Sequence, residues 1–230
     1  MMVYYTSSTA LNNMIPVSFY RKTQRYQELF VQTYSIYTDV RFLCLVIICY
    51  VGLYIAMRIS NDAGLIANNL AGTPVNDTFF RILPRYNTEF FQSNVALGFL
   101  YLRTGLFLIF PDRILFAITS VSLLFVTRSI FIVLTHLGPP EGTNPIFSER
   151  TFAGDLFFSG HVALPFMFAL IYWDKVYLRY LFLGLTVMCG VTTLMGRYHY
   201  SIDVFAAPFI TYGVFKLTQK FFQWKVGPGF

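Results

Sequence analysis

The sequence predicts an all-α integral membrane protein, a six-transmembrane helix bundle with a preceding amphipathic interfacial helix. Three observations carry this. Of 230 residues, 56% are hydrophobic and only 12% charged, half the charge of a soluble domain at about 25%. The deficit falls in charge-poor runs of membrane-spanning size, and the mean hydropathy is +0.56. Lys and Arg between those runs are shared unequally between two sides. A soluble globular enzyme and a disordered chain are both excluded. At roughly 20 residues per span, the length holds one compact membrane domain.

The apolar runs place spans near 40–58, 91–111, 114–137, 159–173, 178–196 and 200–220. The fourth is short, since fifteen helical residues cover only about 22 Å of a hydrocarbon core roughly 30 Å thick. Its start is therefore expected to lie recessed from one surface. Ahead of the spans, Pro16 to Tyr37 is polar, basic and aromatic. Phe19, Tyr26, Phe30, Tyr34 and Tyr37 recur at helical spacing, with Arg21, Lys22 and Arg25 mostly elsewhere, as in a helix lying among headgroups. Met1 to Ala10 lack the basic start and apolar stretch of a cleavable signal. The expected organisation is a cytoplasmic N-terminal segment with the interfacial helix (1–38), a six-span catalytic membrane domain (39–220) and a cytoplasmic tail (221–230).

Positive charge predicts the orientation. Arg21, Lys22, Arg25, Arg41, Arg113, Lys175, Arg179, Lys216, Lys220 and Lys225 share one side if both termini are cytoplasmic. The opposite, extracytoplasmic or lumenal, side carries Arg58, Arg81, Arg85, Arg150 and Arg197. The formal charge of +6 thus reads as topology. No basic cluster interleaved with stacking aromatics points to nucleic acid. Cys44, Cys49 and Cys189 lie inside apolar runs, where cysteine behaves as a small hydrophobe. Three scattered histidines without a Cys cluster point to no zinc centre, and neither a metal nor a cofactor is expected.

Two of those histidines open spans on the predicted outer side. In Gly154-Asp155-Leu156-Phe157-Phe158-Ser159-Gly160-His161, Ser159 is a good N-cap, and the free amides at such a helix start favour a phosphate. In Arg197-Tyr198-His199-Tyr200-Ser201-Ile202-Asp203, His199 and Asp203 are one helical turn apart and share a face. An Asp so placed holds an imidazole in one tautomer and stabilises its charged form. The bland alternatives are an interfacial anchor histidine and a structural hydrogen bond. Arg128 lies within span three, where ionisable groups are costly and usually functional; a salt bridge or snorkelling is its alternative. Arg103, nearer a span end, reads as snorkelling. Asn76-Asp77-Thr78 matches a glycosylation sequon.

These segments resemble a known family. Ser159-Gly160-His161 and His199 through Asp203 are similar to the second and third motifs of the type 2 phosphatidic acid phosphatase superfamily. Gly-Asp-x-x-x-Ser-Gly-His and His-Tyr-Ser-x-Asp-Val narrow the resemblance to its sphingomyelin synthase branch. Arg128, Thr135, Leu137 and Pro140 fit that branch's Arg-x6-Thr-x-Leu-x-x-Pro pattern. Pro74 to Phe80, followed by Leu83-Pro84, loosely resembles its Pro-Leu-Pro-Asp segment. The likeness runs from about residue 40 to 215. The departures are informative too. The phosphate-clamping Lys-x6-Arg-Pro motif of the phosphatases is absent, and Ala153 stands where sphingomyelin synthases often have Cys. Arg197 is more like inositol phosphorylceramide synthases and plant phosphatidylcholine:diacylglycerol cholinephosphotransferases.

The resemblance implies a headgroup transferase using a glycerophospholipid donor and a ceramide or diacylglycerol acceptor within the bilayer, with headgroup and oligomeric state open. Joined to the local chemistry, it assigns catalysis to His161, His199 and Asp203. Substrate contacts fall to Arg128, Asp155, Ser159, Gly160, Arg197 and Tyr200. His199 attacks phosphorus, and His161 serves as acid and then base. The principal rival is a lipid phosphatase or phospholipase C-type hydrolase using water as acceptor. A transporter lacks support from an inverted repeat or a broken helix pair.

Overall fold

The computed structural model describes residue 31, residues 35–142 and residues 156–222. Most of the expected interfacial helix, the tail beyond Phe222 and Asp155 lie outside these. Among the described residues the chain is all helical, with no strand. The main helices are α1 (Val40–Asn69), α2 (Glu89–Ile109), α3 (Ile114–Leu134), α4 (Gly160–Ile171), α5 (Val176–Met195) and α6 (Ser201–Phe222). A single turn, Phe79–Ile82, interrupts the connection from α1 to α2, and a 3-10 turn, Pro111–Arg113, leads into α3.

Five of the six runs fold close to their expected bounds, and α1 does not. It continues for 30 residues, about 45 Å, through Arg58, Asn61 and Asp62, where hydropathy marked an exit from the membrane. The reason is its inner face. Leu53, Ala56, Ser60, Ala63 and Ala67 are buried at alternating spacings of three and four, with Gly64 buried beside Ala63, and α1 packs along α3. Small residues at that spacing let two backbones approach closely, while Arg58, Asn61 and Asp62 stay exposed. Hydropathy reports where lipid ends, whereas packing decides where the helix ends.

Among the described residues three segments are long and apolar enough to cross a membrane: Val40–Asn69, Pro111–Leu134 and Val176–Met195. The expected count of six is therefore met only in part. α2 and α6 have the length but carry Gln92, Asn94 and Arg103, and Asp203, Lys216 and Lys220. α4 is apolar but only 12 residues long. Its burial explains how so short a helix is accommodated. Ala163, Met167, Phe168, Ala169 and Ile171 are wholly buried, because α4 packs against α3, α5 and α6. Phe99 of α2 meets Phe168 edge-on at 5.0 Å, and Phe182 of α5 lies 5.6 Å from the same ring. α4 is the core of the bundle.

The connections gather at two ends, as the charge pattern grouped them. At one end, Arg113 clamps Asp174 with two N–H groups at 2.7 and 2.8 Å and donates to the Ile171 carbonyl at 2.6 Å. That hydrogen bonding holds the Asp174 carboxyl below its usual range. Tyr37 reaches this end too, its hydroxyl donating to the Phe107 carbonyl near the end of α2. At the other end lie the starts of α4 and α6.

Candidate active site at the starts of α4 and α6

The segment carrying the second histidine is a helix stop followed at once by a helix start. α5 ends in paired reverse bonds, with Arg197 N–H donating to the Leu194 carbonyl and Tyr198 N–H to the Thr193 carbonyl, both at 3.1 Å. That stop requires a left-handed residue at Arg197, whose φ is 54°. Glycine is the usual occupant, so an arginine there stores strain of about 1–3 kcal/mol. Its side chain supplies the compensation. The guanidinium donates to the carbonyls of Glu141 at 3.0 Å and Phe80 at 3.3 Å, and lies over the Phe80 ring. Arg197, expected at the phosphate, thus also straps two outer connections together.

α6 starts two residues after His199. Asp203, in its first turn, accepts from Tyr200 N–H at 3.0 Å, half of a capping box. Asp77 supplies a second carboxylate in trans. It accepts from Ser201 N–H at 2.6 Å and from Phe79 N–H at 2.8 Å. Both carboxylates sit where the helix dipole favours negative charge. Tyr200, expected to contact substrate, has its hydroxyl engaged elsewhere: it donates to the Gly138 carbonyl at 2.8 Å and accepts from Val75 N–H at 3.0 Å. The connections after α1 and α3 close over α6 at a place where only glycine fits. A Cβ on Gly138 would stand 2.3 Å from the Gly72 carbonyl oxygen.

His199 is buried, and its Nδ1 lies 2.7 Å from the Leu156 carbonyl oxygen. A carbonyl only accepts, so in the neutral ring Nδ1 carries the proton and Nε2 keeps its lone pair. Asp203 Oδ2 is 3.5 Å from the same Nδ1, within ion-pair reach but beyond a good hydrogen bond. The tautomer expected from Asp203 is thus set first by a main-chain carbonyl. Asp203 adds a fully buried carboxylate whose Oδ1 has no hydrogen-bond partner, which suits it to stabilise a positive imidazole.

α4 is tied to this arrangement by its backbone. Ser159 N–H donates to the Asp203 carbonyl at 3.2 Å, so that amide, expected to face phosphate, is engaged. Ser159 does occupy the N-cap, but its side chain makes no capping bond; its hydroxyl is buried without a partner. Gly160 and half-buried His161 form the first turn of α4, where the helix dipole favours negative charge. Pro165, four residues on, has no N–H for the His161 carbonyl. Arg128 Nε donates to the Phe158 carbonyl at 2.8 Å and lies 3.8 Å from the position a Gly160 Cβ would take. The guanidinium therefore sits against the start of α4.

Of the expected site residues, Arg128, Ser159, Gly160 and His161 gather at the start of α4, and His199 and Asp203 at the joined start of α6. Asp155 lies outside the described residues. Three contributors escaped the sequence reading: the Leu156 and Phe158 carbonyls and Asp77. The carbonyls had no signal, since any residue supplies one. Asp77 had a faint one, as the acid of the Pro-Leu-Pro-Asp-like segment. Among the described residues no three or more His, Cys, Asp and Glu side chains cluster as metal ligands.

Asp77 offers a direct test of the cap. Asp77→Ala should lower stability by about 1 kcal/mol, the usual worth of a helix cap. It should lower turnover further, because the start of α6 carries His199. Asp77→Asn keeps one acceptor and should fall between. Melting temperature and specific activity measured together check this; an Asp77→Ala protein unchanged in both would remove Asp77 from the site.

Among known families, the C-terminal region of the PAP2 superfamily matches residues 153–220. That is under a third of the chain, but it contains α4, α5, most of α6 and both histidines. The match supports membership in the type 2 phosphatidic acid phosphatase superfamily, and with it a phosphatase or phosphotransferase type of lipid enzyme in the membrane. Comparison with curated proteins and with solved structures found no match.

Proposed function

We propose that the chain is a six-span membrane phospholipid headgroup transferase, similar to the sphingomyelin synthases. It moves a phosphocholine, phosphoethanolamine or phosphoinositol group from a glycerophospholipid to a ceramide or diacylglycerol hydroxyl. The reading rests above all on His199. Its Nδ1 hydrogen bond to the Leu156 carbonyl leaves the Nε2 lone pair of the neutral ring unprotonated, as a nucleophile requires.

In the first step Nε2 forms a bond to phosphorus and the bond to the diacylglycerol oxygen breaks. His161 gives that oxygen its proton. The imidazole, now positive, is stabilised by Asp203 at 3.5 Å. In the second step the acceptor hydroxyl attacks phosphorus, its proton passes to His161, and the N–P electron pair returns to Nε2. Arg128 and the first-turn amides of α4 offset charge on the non-bridging oxygens.

Labelled phosphatidylcholine, phosphatidylethanolamine and phosphatidylinositol, each with and without ceramide or diacylglycerol, test the reading. Acceptor-dependent appearance of labelled product supports transfer. Release of free phosphorylated headgroup without an acceptor replaces it with a hydrolase.

The proposed topology has both termini in the cytoplasm and the two histidines on the opposite side, from the charge bias. A single cysteine replacing exposed Asn76, in a chain otherwise free of cysteine, should react with an impermeant maleimide in intact cells. Reaction only after permeabilisation would invert the orientation.

A further inference from the structure

The single turn Phe79–Ile82, in the connection from α1 to α2, faces two ways. Its inner side is tied to the start of α6. Asp77, just before the turn, accepts from Phe79 N–H at 2.8 Å and from Ser201 N–H at 2.6 Å. The Phe80 ring lies 5.9 Å from that of Tyr200, and the Phe80 carbonyl accepts from Arg197. These ties fix the orientation of the turn, so its outer face cannot fold inward without breaking them.

That outer face is apolar. Phe79 and Ile82 stand three residues apart, on one side of the turn, and are 37% and 72% exposed. The Phe79 ring lies 5.3 Å from that of Phe205. Phe205 is itself exposed, as are Ile202 and Phe209, which share its face of α6 by their spacings of three and four. The turn therefore widens an exposed apolar face of α6.

Depth decides what covers this surface. α6 runs for 22 residues, about 33 Å, close to a hydrocarbon core of roughly 30 Å. No charged residue lies between Asp203 and Lys216, so Phe205 stands near the outer limit of the uncharged part of the helix. Ring contact with Phe205 brings Phe79 to the edge of that apolar layer. Contiguous large apolar side chains left exposed mark contact with a partner or a membrane, and here they continue a face that meets lipid. Exposed Arg81 fits the same placement. Its stem is long enough to stay beside acyl chains while the guanidinium reaches lipid phosphates.

We propose that the turn Phe79–Ile82 is an anchor inserted in the bilayer, with the acyl chains of the adjoining leaflet packed against Phe79 and Ile82. The inference rests on the reading of α6 as a membrane span and is independent of the transfer reaction. Insertion brings the headgroups of that leaflet level with the start of α6. A donor phosphodiester then reaches His199 without leaving the bilayer.

Nitroxide labels test this in the full chain, freed of its own cysteines and reconstituted into phosphatidylcholine nanodiscs. Each label is read by its collisions with oxygen, which concentrates among acyl chains, and with a neutral nickel chelate, which stays in water. Ile82→Cys suits the measurement, because so exposed a side chain contributes little to packing. Phe209→Cys is the lipid-facing reference and Asn76→Cys the aqueous one; both residues are exposed. The label replacing Ile82 should show an oxygen-to-nickel collision ratio several-fold above that of the label replacing Asn76, and close to that of the one replacing Phe209.

A ratio equal to that at Asn76, with Phe209 still reporting lipid, overturns the anchor and leaves α6 a span. Shielding of the Ile82 label from both reagents overturns it as well, since protein rather than lipid then covers the face. An aqueous label at Phe209 removes the span and the anchor together. None of these readings needs catalysis, so the transferase and the anchor fail separately.

Discussion

Arg128→Lys should lower the rate of headgroup transfer about a hundredfold, in the range found when a fixed donor to a developing anion is lost. The loss should appear mainly in kcat. The geometry behind this is the 2.8 Å bond from Nε to the Phe158 carbonyl, which uses one of five guanidinium donors to fix the planar group against α4. A lysine has neither that N–H nor a fork; it offers one mobile point charge. If Arg128 served only to hold the loop before Ser159, the variant would melt earlier while each folded molecule kept its activity. Melting temperature and kcat of the same preparation decide between the two. Guanidinium ion added to Arg128→Ala supplies a second readout, since rescue of rate without change in melting is expected only for a group that acts on the reacting phosphate. Full specific activity in Arg128→Lys would remove the residue from the chemistry.

How far the site was legible depended on what kind of atom was involved. Side chains whose chemistry is written in their type, His161, His199, Asp203 and Arg128, could be picked out by spacing and by their cost inside a span. Main-chain partners could not. The carbonyls of Leu156 and Phe158 orient His199 and Arg128, and nothing in those two side chains announces it. Asp203 was legible for one role and turned out to have two: it caps Tyr200 N–H and faces the His199 ring. Arg197 shows the same doubling. Its position two residues before a histidine suggested a phosphate contact, whereas the helix stop that puts it at positive φ becomes visible only once α5 and α6 are seen to meet there. The fold was more legible than the site, because hydropathy marks five of the six helices within a few residues. It failed at α1, where a stripe of small residues continues the contact with α3 past the last apolar run.

Replacing His199 or His161 by Ala should reduce transfer by several orders of magnitude, as loss of a nucleophile or of its proton partner does elsewhere, while the protein still folds. The two should then be separable by donor. A nitrophenyl phosphodiester departs with little need of a proton, so His161→Ala should form a covalent headgroup adduct from it, and His199→Ala should not. Asp203→Asn should cost less than either histidine. It keeps an acceptor for Tyr200 N–H, and the Leu156 carbonyl still holds the His199 Nδ1 proton at 2.7 Å. What it loses is the negative charge 3.5 Å from the ring, which stabilises the imidazole only once it becomes positive. The deficit should therefore fall on adduct formation, with folding little changed. Rapid-quench trapping of the labelled headgroup measures this for each variant. An adduct in His199→Ala and none in His161→Ala would exchange the roles of the two residues. If even wild type forms no adduct with either donor, the headgroup passes directly to its acceptor, and the Nε2 presented by Leu156 is a base rather than a nucleophile.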